Sequence, residues 1–469
     1  MADMLVKFDP EIEFEPIVDV LYAPPADVEG NPDENMKNNE IDQTKVTGVV
    51  APLIKVNNLL ISWDSVKSFE LGTLKGIPYL NFVATDFMNI SKTFDQPGSD
   101  NIVRLQILPQ FENAYKKINM NFYITDFSTP EDELLSLSCI YMAPNLWNSE
   151  LKSWGKISTY KFYEDIAHYC KLGLVSNISE TKDERYIYAP NATIKDMIPK
   201  VVAEGGAETV ILDAWIDWWN NIVLCDMYDR WNTIEDDIKY WTGMRQLNIE
   251  PNGAQEAEEI DRMITNAFPY KLRETYTKEY KIVNNTAKNA KAGTDKVITI
   301  YNYDELTSDD LLIEDGDTKN DIFKKFIYGG EYIGEFNYIK QAFCNFAYLQ
   351  KINSQMIKVS LDTPCLSLMK GEKVNFMWFD INNFQTAPLN EVSEEVDTNI
   401  QTPPENEAVQ DEFTLNKQVS GQYLIVDETL KFENINGGPN WKLELLLSRP
   451  ADQIFNYSEV LKSLNGEQS

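Results

Sequence analysis

Four aspartates crowd one tryptophan-rich stretch, ILDAWIDWWNNIVLCDMYDRW: Asp213, Asp217, Asp226 and Asp229. Two carboxylates held close together can do acid–base work on a glycosidic bond or hold a divalent cation. Asp213 and Asp217 stand at i and i+4, which is one face of an extended segment. Trp215, Trp218 and Trp219 are interleaved with them and have the shape of a sugar-binding platform. The competing reading is plainer: carboxylates on a solvated surface, and tryptophans in a core or a subunit contact. No further motif accompanies the aspartates, so the plainer reading is the expectation. It carries no catalytic residue, no metal ligand set and no cofactor site.

The remaining reactive side chains are sparse. His168 is the single histidine, so any Ser-His-Asp or Cys-His arrangement would have to use it. It falls inside a helical pattern with no nucleophile indicated, and a helix-face or core role is expected. Cys139, Cys170, Cys225, Cys344 and Cys365 are far apart, form no CxxC and sit among apolar residues. They read as reduced core residues of a chain made in the cytosol. The glycine pairs 205–206 and 329–330 match neither a P-loop nor a dinucleotide fingerprint. Lys281, Lys288, Lys291 and Lys296 form a local basic patch in EYKIVNNTAKNAKAGTDKVITIYNYD, expected to be a solvated hairpin tip.

Charge narrows the partners. Over 469 residues, 42 Lys and Arg stand against 74 Asp and Glu, a formal net of -32. Such a chain as a whole repels nucleic acid and anionic membrane surfaces. The opening residues are acidic with no apolar h-region, so no signal peptide is expected, and no apolar run is long enough to span a membrane. Hydrophobic residues at 43% are enough for several cores, and the length suggests about three domains.

The elements that must position these residues follow from periodicity. Residues 1–44 are acidic and proline-bearing, an extended arm expected to order only against a partner. Residues 45–148 read as short strands: VTGVVAPLIKVNNLLISWDSVKSFELG, with a bulge near Val66, Phe69 and Leu71, then IPYLNFVATDF, NIVRLQILPQF, and two strands around a polar turn near 128–132. This spacing suggests a small antiparallel barrel. From 149 the period shifts towards 3.6. Ser158-Thr159 caps a helix ending near Gly173, and Ala192-Thr193 opens a second that carries Pro199 and stops at Gly205-Gly206. Two strands flank Asn220-Asn221, which makes 149–232 an α/β unit. Residues 233–295 are a mixed connecting region. Residues 296–460 contain a helix over about 337–351, with Tyr338, Ala342, Phe343, Phe346 and Leu349 on one stripe, then strands, an acidic disordered loop at 386–414, and two strands around Asn-Gly-Gly-Pro. They are expected to form a second barrel.

The order of these segments resembles the baseplate or tail hub proteins of tailed phages, related to the late-control D proteins and to the hub part of type VI secretion spikes. PLIKVNNLLISWDSVKSFELG, IPYLNFVATDF, MNFYITDF and LSLSCIYMAPNLWN are similar to the strands of that family's first barrel. STYKFYEDIAHYCKLGLVSN, DERYIYAPNATIKDMIPKVVAEGG and ILDAWIDWWNNIVLCDMY follow its order of helix, aromatic loop, helix and paired-aromatic strand. EYKIVNN, KGEKVNF, VSGQYLIVDETLKFEN and WKLELLLSRP resemble the second barrel. The resemblance spans about 45–450; the 386–414 loop and the first 44 residues depart from it.

What the resemblance implies is an α+β chain with two tube-protein-like antiparallel β-barrels and an α/β domain inserted between them, plus the acidic arm and loop. It implies a structural virion protein rather than an enzyme, assembled in the host cytoplasm into the tail baseplate. As a homotrimer it would present six similar barrels, joining a six-fold tail tube to a three-fold spike. Its partners would be the tail tube or tube-initiator protein, the central spike and other baseplate proteins. DNA would pass through its channel without specific binding, and an acidic lining would keep it from sticking. No membrane is involved. Three rivals stand beside it: a tail-associated glycan hydrolase at Asp213/Asp217, a glycan-binding module built on the tryptophans, and a peripheral baseplate component.

Overall fold

The computed structural model describes residues 4–15, 17, 52–57, 59–61, 65–86, 89–94, 101–108, 117–129, 133–206, 210–232, 241–243, 277–285, 296–302, 307–313, 327–328, 345, 349, 352–361, 366, 368–381, 413–415, 419–435 and 438–450. The first part holds strands β1 (Leu5–Phe8), β2 (Leu53–Val56), β3 (Leu59–Ile61), β4 (Val66–Leu74), β5 (Ile77–Thr85), β6 (Ile102–Ile107), β7 (Ile118–Ser128) and β8 (Leu134–Tyr141). The middle holds β9 (Ser149–Ile157), α1 (Thr159–Tyr169), β10 (Gly173–Ser176), β11 (Arg185–Thr193), α2 (Ile194–Ala203), β12 (Leu212–Ile216), β13 (Asn221–Asp226) and α3 (Met227–Asn232). The last part holds β14 (Trp241–Gly243), β15 (Thr277–Asn285), β16 (Lys296–Asn302), β17 (Thr307–Ile313), β18 (Ile327–Tyr328), β19 (Gln355–Leu361), β20 (Lys373–Met377), β21 (Phe379–Ile381), β22 (Phe413–Leu415), β23 (Gly421–Ile435) and β24 (Gly438–Arg449).

Strict alternation makes the first strands. Val103, Leu105 and Ile107 on β6 are buried, as are Leu135, Leu137, Cys139 and Tyr141 on β8. Between Val66 and Ser68 the register slips by one, which is the expected bulge and brings Val66, Phe69 and Leu71 onto one buried face. The C-terminal strands repeat the pattern with Ile357, Val359 and Leu361 on β19 and Leu443, Leu445 and Leu447 on β24.

The two strand sets are one sheet among the described residues. Its order is β15-β19-β24-β23-β4-β5-β8-β7-β6-β2-β3, with β20 also on β23 and β14 on β20. The sheet is curled into a half-barrel. The strand that joins the sets is β23, 15 residues long. One edge carries β24; the other is shared by β20, at residues 421–424, and by β4, at residues 430–433.

The middle section builds a four-stranded sheet, β1-β10-β13-β12, in which β10 and β13 run parallel. Helices α1 and α2 cover it. The Ser158 and Thr193 side chains cap them, accepting from the backbone N–H of Lys161 and Asp196. α1 stops at Tyr169, four residues before the expected Gly173. Lys171 takes the left-handed conformation usually given to glycine, and Leu172 N–H returns to the Ala167 carbonyl at 2.8 Å. Gly173 serves another purpose: a Cβ there would meet Asn221 Oδ1 at 2.1 Å and Pro10 at 2.9 Å, so only glycine lets the chain pass.

Several expectations are corrected. Within the arm read as extended, residues 5–8 form a strand, β1, that pairs antiparallel with β10; the apolar run LVKF is masked when charge is averaged over 1–44. Residues 149–157 are a strand, β9, paired with β11 in a two-stranded ribbon. Among the described residues the two arms of the expected 281–296 hairpin do not pair with each other: β15 pairs with β19, and β16 with β17 and β18, while residues 286–295 lie outside the described residues. Lys281 is exposed on β15, opposite Lys358, and Lys296 faces Ile313 in the backbone register. Phe413 and Thr414, placed in the acidic loop, begin β22, which pairs with β21. The rest of that loop, residues 18–44, Lys288, Lys291, Gly329-Gly330, Cys344, Cys365 and most of the 337–351 helix lie outside the described residues.

Candidate functional site

The aspartate cluster becomes a joint rather than a catalytic cleft. β12 ends at Ile216, so Asp217 lies in the turn and does not share a strand face with Asp213. Its carboxylate accepts from Trp219 N–H, Asn221 N–H and Asn221 Nδ2, each at 2.8 Å. That closes the turn internally and leaves the carboxylate buried. At the tip, Asn220 adopts a positive φ and reaches the first strand set: Tyr141 Oη donates to Asn220 Oδ1 at 2.7 Å, and Asn220 Nδ2 donates to the Asn119 carbonyl at 2.9 Å. On the neighbouring strand, Ile216 N–H donates to the Gly76 carbonyl in the β4–β5 turn at 2.7 Å.

Asp226 precedes α3 and accepts from Ile211, Tyr228 and Asp229 N–H groups. Burial nonetheless pushes its pKa up to about 6. Asn177 braces it, accepting from Asp226 N–H at 2.8 Å and donating to Asp226 O at 3.1 Å and to Asp229 at 3.4 Å. The four carboxylates therefore spend themselves on separate local tasks. Two of them, Asp217 and Asp226, are buried, which corrects the expectation of a solvated acidic surface. Trp215 and Trp218 are buried and Trp219 half-buried, so no open aromatic platform exists. His168 lies on the outer face of α1, its ring stacked on Phe8 at 4.0 Å. Cys139, Cys170 and Cys225 are buried. Among the described residues no group of three or more His, Cys, Asp or Glu is placed to hold a metal ion, and no helix is long and apolar enough to cross a membrane.

The last strand set reaches the same joint from the other side. Lys370 Nζ lies 2.7 Å from Asp213 and 4.5 Å over the Trp215 ring. Burial works against its charge, but the Asp213 carboxylate outweighs it and the lysine pKa is raised. Gly371, at φ +87°, lets the backbone lie against Trp215; a Cβ would sit 3.1 Å from the ring. Arg230 Nε donates to the Gly371 carbonyl at 2.9 Å, and its Nη2 pairs with Glu372 at 3.0 Å. Gly371 N–H and the Glu372 carbonyl bond both backbone groups of Ile425 on β23. Glu428, three residues further along β23, accepts from Lys370 N–H. Its carboxyl is buried, and burial pushes it up to about 8.

The third contact is the β4–β23 seam. Leu430, Lys431, Phe432 and Glu433 lie opposite Leu71, Glu70, Phe69 and Ser68. On the inner face Phe69 and Phe432 stack at 5.6 Å, and Trp441 meets both edge-on at 5.4 and 5.1 Å. On the outer face the charges alternate across four strands, and a tyrosine on a fifth ends the row. Lys358 pairs with Glu444 at 2.7 Å, Glu444 with Lys431 at 2.9 Å and Lys431 with Glu70 at 3.6 Å; Tyr79 Oη donates to Glu70 at 2.6 Å. Burial works against the Glu444 charge, but the hydrogen bonds from both lysines outweigh it and hold the carboxyl below its usual range.

Sequence reasoning missed Lys370, Glu372, Arg230 and Glu428. The polar run MKGEK held a signal for the first two, since a lysine and a glutamate flank a turn glycine. Glu70 and Lys431 occupy outward positions of alternating strands, yet nothing local tells which strand faces which.

No protein-family model matches the chain, and no curated protein matches it. Solved structures do. The tail protein from Neisseria meningitidis MC58 is similar at 9% identity with a TM-score of 0.48, covering 87% of this chain and 98% of that one. The 43 kDa tail protein of prophage MuSo2 from Shewanella oneidensis is similar at 8% identity and a TM-score of 0.48, covering 86% and 99%. The E. coli c3393 protein is a type VI secretion component with structural similarity to the T4 bacteriophage tail proteins gp27 and gp5. It is similar at 10% identity and a TM-score of 0.39, covering 86% and 78%. The structural neighbours are thus phage tail proteins and type VI secretion proteins.

Proposed function

We propose that the chain is a structural virion protein, the central hub of a phage tail baseplate or a related injection machine. The observation that carries the reading is the seam. Two strand sets, separated in sequence by an α/β insert, lie edge to edge in one sheet through β4 and β23. A chain built so offers two similar β surfaces in a fixed relation. Three copies then offer six, which is what a six-fold tube requires of a three-fold adaptor. The two sets are read as tube-protein-like barrels, 45–148 and 296–460, with the α/β domain 149–232 and the connecting region 233–295 between them. The order of sequence segments supports the same reading.

No catalysis is assigned. The carboxylates and tryptophans that favoured a glycan hydrolase or a glycan-binding module are engaged in the joint. The function is mechanical: to hold tube or tube-initiator subunits on one side and the central spike and other baseplate proteins on the other, with DNA passing through without specific binding. The outer face of the seam suits a non-adhesive surface, because its lysines and glutamates neutralise one another in pairs.

Light-scattering mass on the purified chain, with negative-stain imaging of the same peak, tests this. A mass about three times 53.9 kDa with ring-shaped averages is expected, with the spike protein added where assembly requires it. A chain that stays monomeric with every spike candidate would move the assignment to a peripheral baseplate component.

A further inference from the structure

Residues 4–17 straddle two parts of the molecule. At one end Leu5 and Val6 pair with Ser176 and Val175 along the edge of the four-stranded sheet, and their side chains are 56% and 59% exposed. Phe8 stacks on His168, and Glu11 N–H donates to the Lys171 carbonyl at 3.0 Å. The segment then crosses to the first strand set. Asn121 Nδ2 donates to the Glu13 carbonyl at 3.4 Å, and Glu15 faces Lys55 at 3.5 Å and Arg104 at 3.4 Å.

This second grip is weak. The Glu15 side chain is 60% exposed against 20% for each partner, and solvent screens exposed pairs of this length. A cavity of about 370 Å³ remains between the segment and the sheet, lined by Phe14 and Glu15 on one side and Ile102, Arg104 and Asn121 on the other. Asn121 Oδ1 is buried there without a hydrogen-bond partner among the described residues.

The chain between this segment and the sheet is far longer than its docking requires. Glu15 and Lys55 touch, yet residues 18–51 lie between Ile17 and Pro52. A linker of that length has a root-mean-square span of roughly 30 Å and an extended reach of about 110 Å. A short tether would confine the segment to its own chain; this one does not.

We propose that residues 4–17 exchange between copies. The segment of one chain docks on the β10 edge and the Lys55–Arg104 groove of a second copy, with the register seen here. The occupant is a second copy because the β10 edge already pairs with this segment in a fixed register and the linker is long enough to reach past its own molecule. The inference rests on the hub reading only for the supply of neighbouring copies. In a closed ring each chain gives its segment to the next and receives one, tying the copies together without a new surface.

Co-expression of two differently tagged full-length chains, one Val6→Cys and the other Val175→Cys, followed by mild oxidation, tests the exchange. Burial raises the Cys139 and Cys225 thiols above their ordinary range, which keeps them out of the reaction. Unsubstituted protein reports any remaining background. A covalent product carrying both tags is expected. If the Val6→Cys/Val175→Cys double variant closes only within its own chain and the mixed pair gives no joint product, exchange is overturned. Mass from light scattering separates the two readings: a trimer without the joint product overturns exchange and leaves the hub standing, whereas a chain that stays monomeric with every spike candidate counts against both. A labelled peptide of residues 4–17 gives a cysteine-free readout. It should bind intact protein and lose about two- to fivefold in affinity on Glu15→Gln; no binding overturns the proposal.

Discussion

The seam and the joint solve one problem, fastening units that are distant in sequence, by opposite means. At the seam, apolar rings fill the dry face and ion pairs occupy only the wet one. At the joint, polar groups go inside: Asp217, Asp226, Arg230 and Glu428 are all buried, and each is held by named hydrogen bonds or charges. Apolar stacking stabilises and tolerates small shifts. Buried polar contacts add little net stability but are costly to misplace, so they set geometry. The seam holds the two strand sets together, and the joint holds the insert at one angle to both.

The largest effect should come from the dry side of the seam. Phe432→Ala removes a fully buried ring from the stack with Phe69 and Trp441 and should cost about 3–5 kcal/mol in urea unfolding, accompanied by a change in tryptophan fluorescence. A loss below 1 kcal/mol would mean that the seam is not what fastens the sets.

Next is the pH dependence of the joint. Glu428, with a folded pKa of about 8 against an ordinary 4.5, keeps its proton where the unfolded chain has lost it. The folded state then binds more protons, so stability is full below about pH 4.5, declines as pH rises and levels off above 8. Lys370 beside it favours the charged form, while Asp427 and Asp217 oppose it. Asp226, raised to about 6, adds to the decline below that pH. Glu428→Gln should flatten the urea midpoint between pH 6 and 8; an unchanged slope would remove Glu428 from the account.

A smaller loss, about 1–3 kcal/mol, is expected for Lys370→Met, which strands Asp213 while leaving it partial access to water. Combining it with Asp213→Asn should recover part of that loss, and strict additivity in the double-mutant cycle would break the pairing. Smallest is Lys431→Ala on the wet face, below about 1 kcal/mol and shrinking further in high salt. If Lys431→Ala outweighed Phe432→Ala, the contrast between the two faces would be inverted.

Local signals were legible in the sequence and distant pairings were not. Ser158 and Thr193 announced their helices because a cap is read within four residues, and Asn220-Asn221 announced its turn for the same reason. The end of α1 was misread because Lys171, not Gly173, takes the left-handed position. The partners of the strands at either end of 281–296 were not legible, because a polar, glycine-bearing run says where a chain turns but not which strand it turns towards. β15 found its partner in β19, far along the chain. The aspartates and tryptophans stand out in the sequence as neighbours, but their separate roles depend on Asn119, Tyr141, Lys370 and Gly371, which no spacing rule connects to them.

The pairing of Phe69 with Phe432 has a consequence for how the protein is made. At about 5–20 residues per second, β23 leaves the ribosome roughly 20–70 s after β4. Through that interval β4 presents an unpaired edge, the kind of template on which chains aggregate. The insert's β12–β13 turn docks on the β4–β5 turn and on β7 and β8 well before β23 emerges. The same contacts that fix the angle of the finished molecule would then brace the first strand set while it waits, and a ribosome-bound chain halted once the insert has cleared the exit tunnel should already protect β5 and β8 from hydrogen exchange while leaving the β23-facing edge of β4 open.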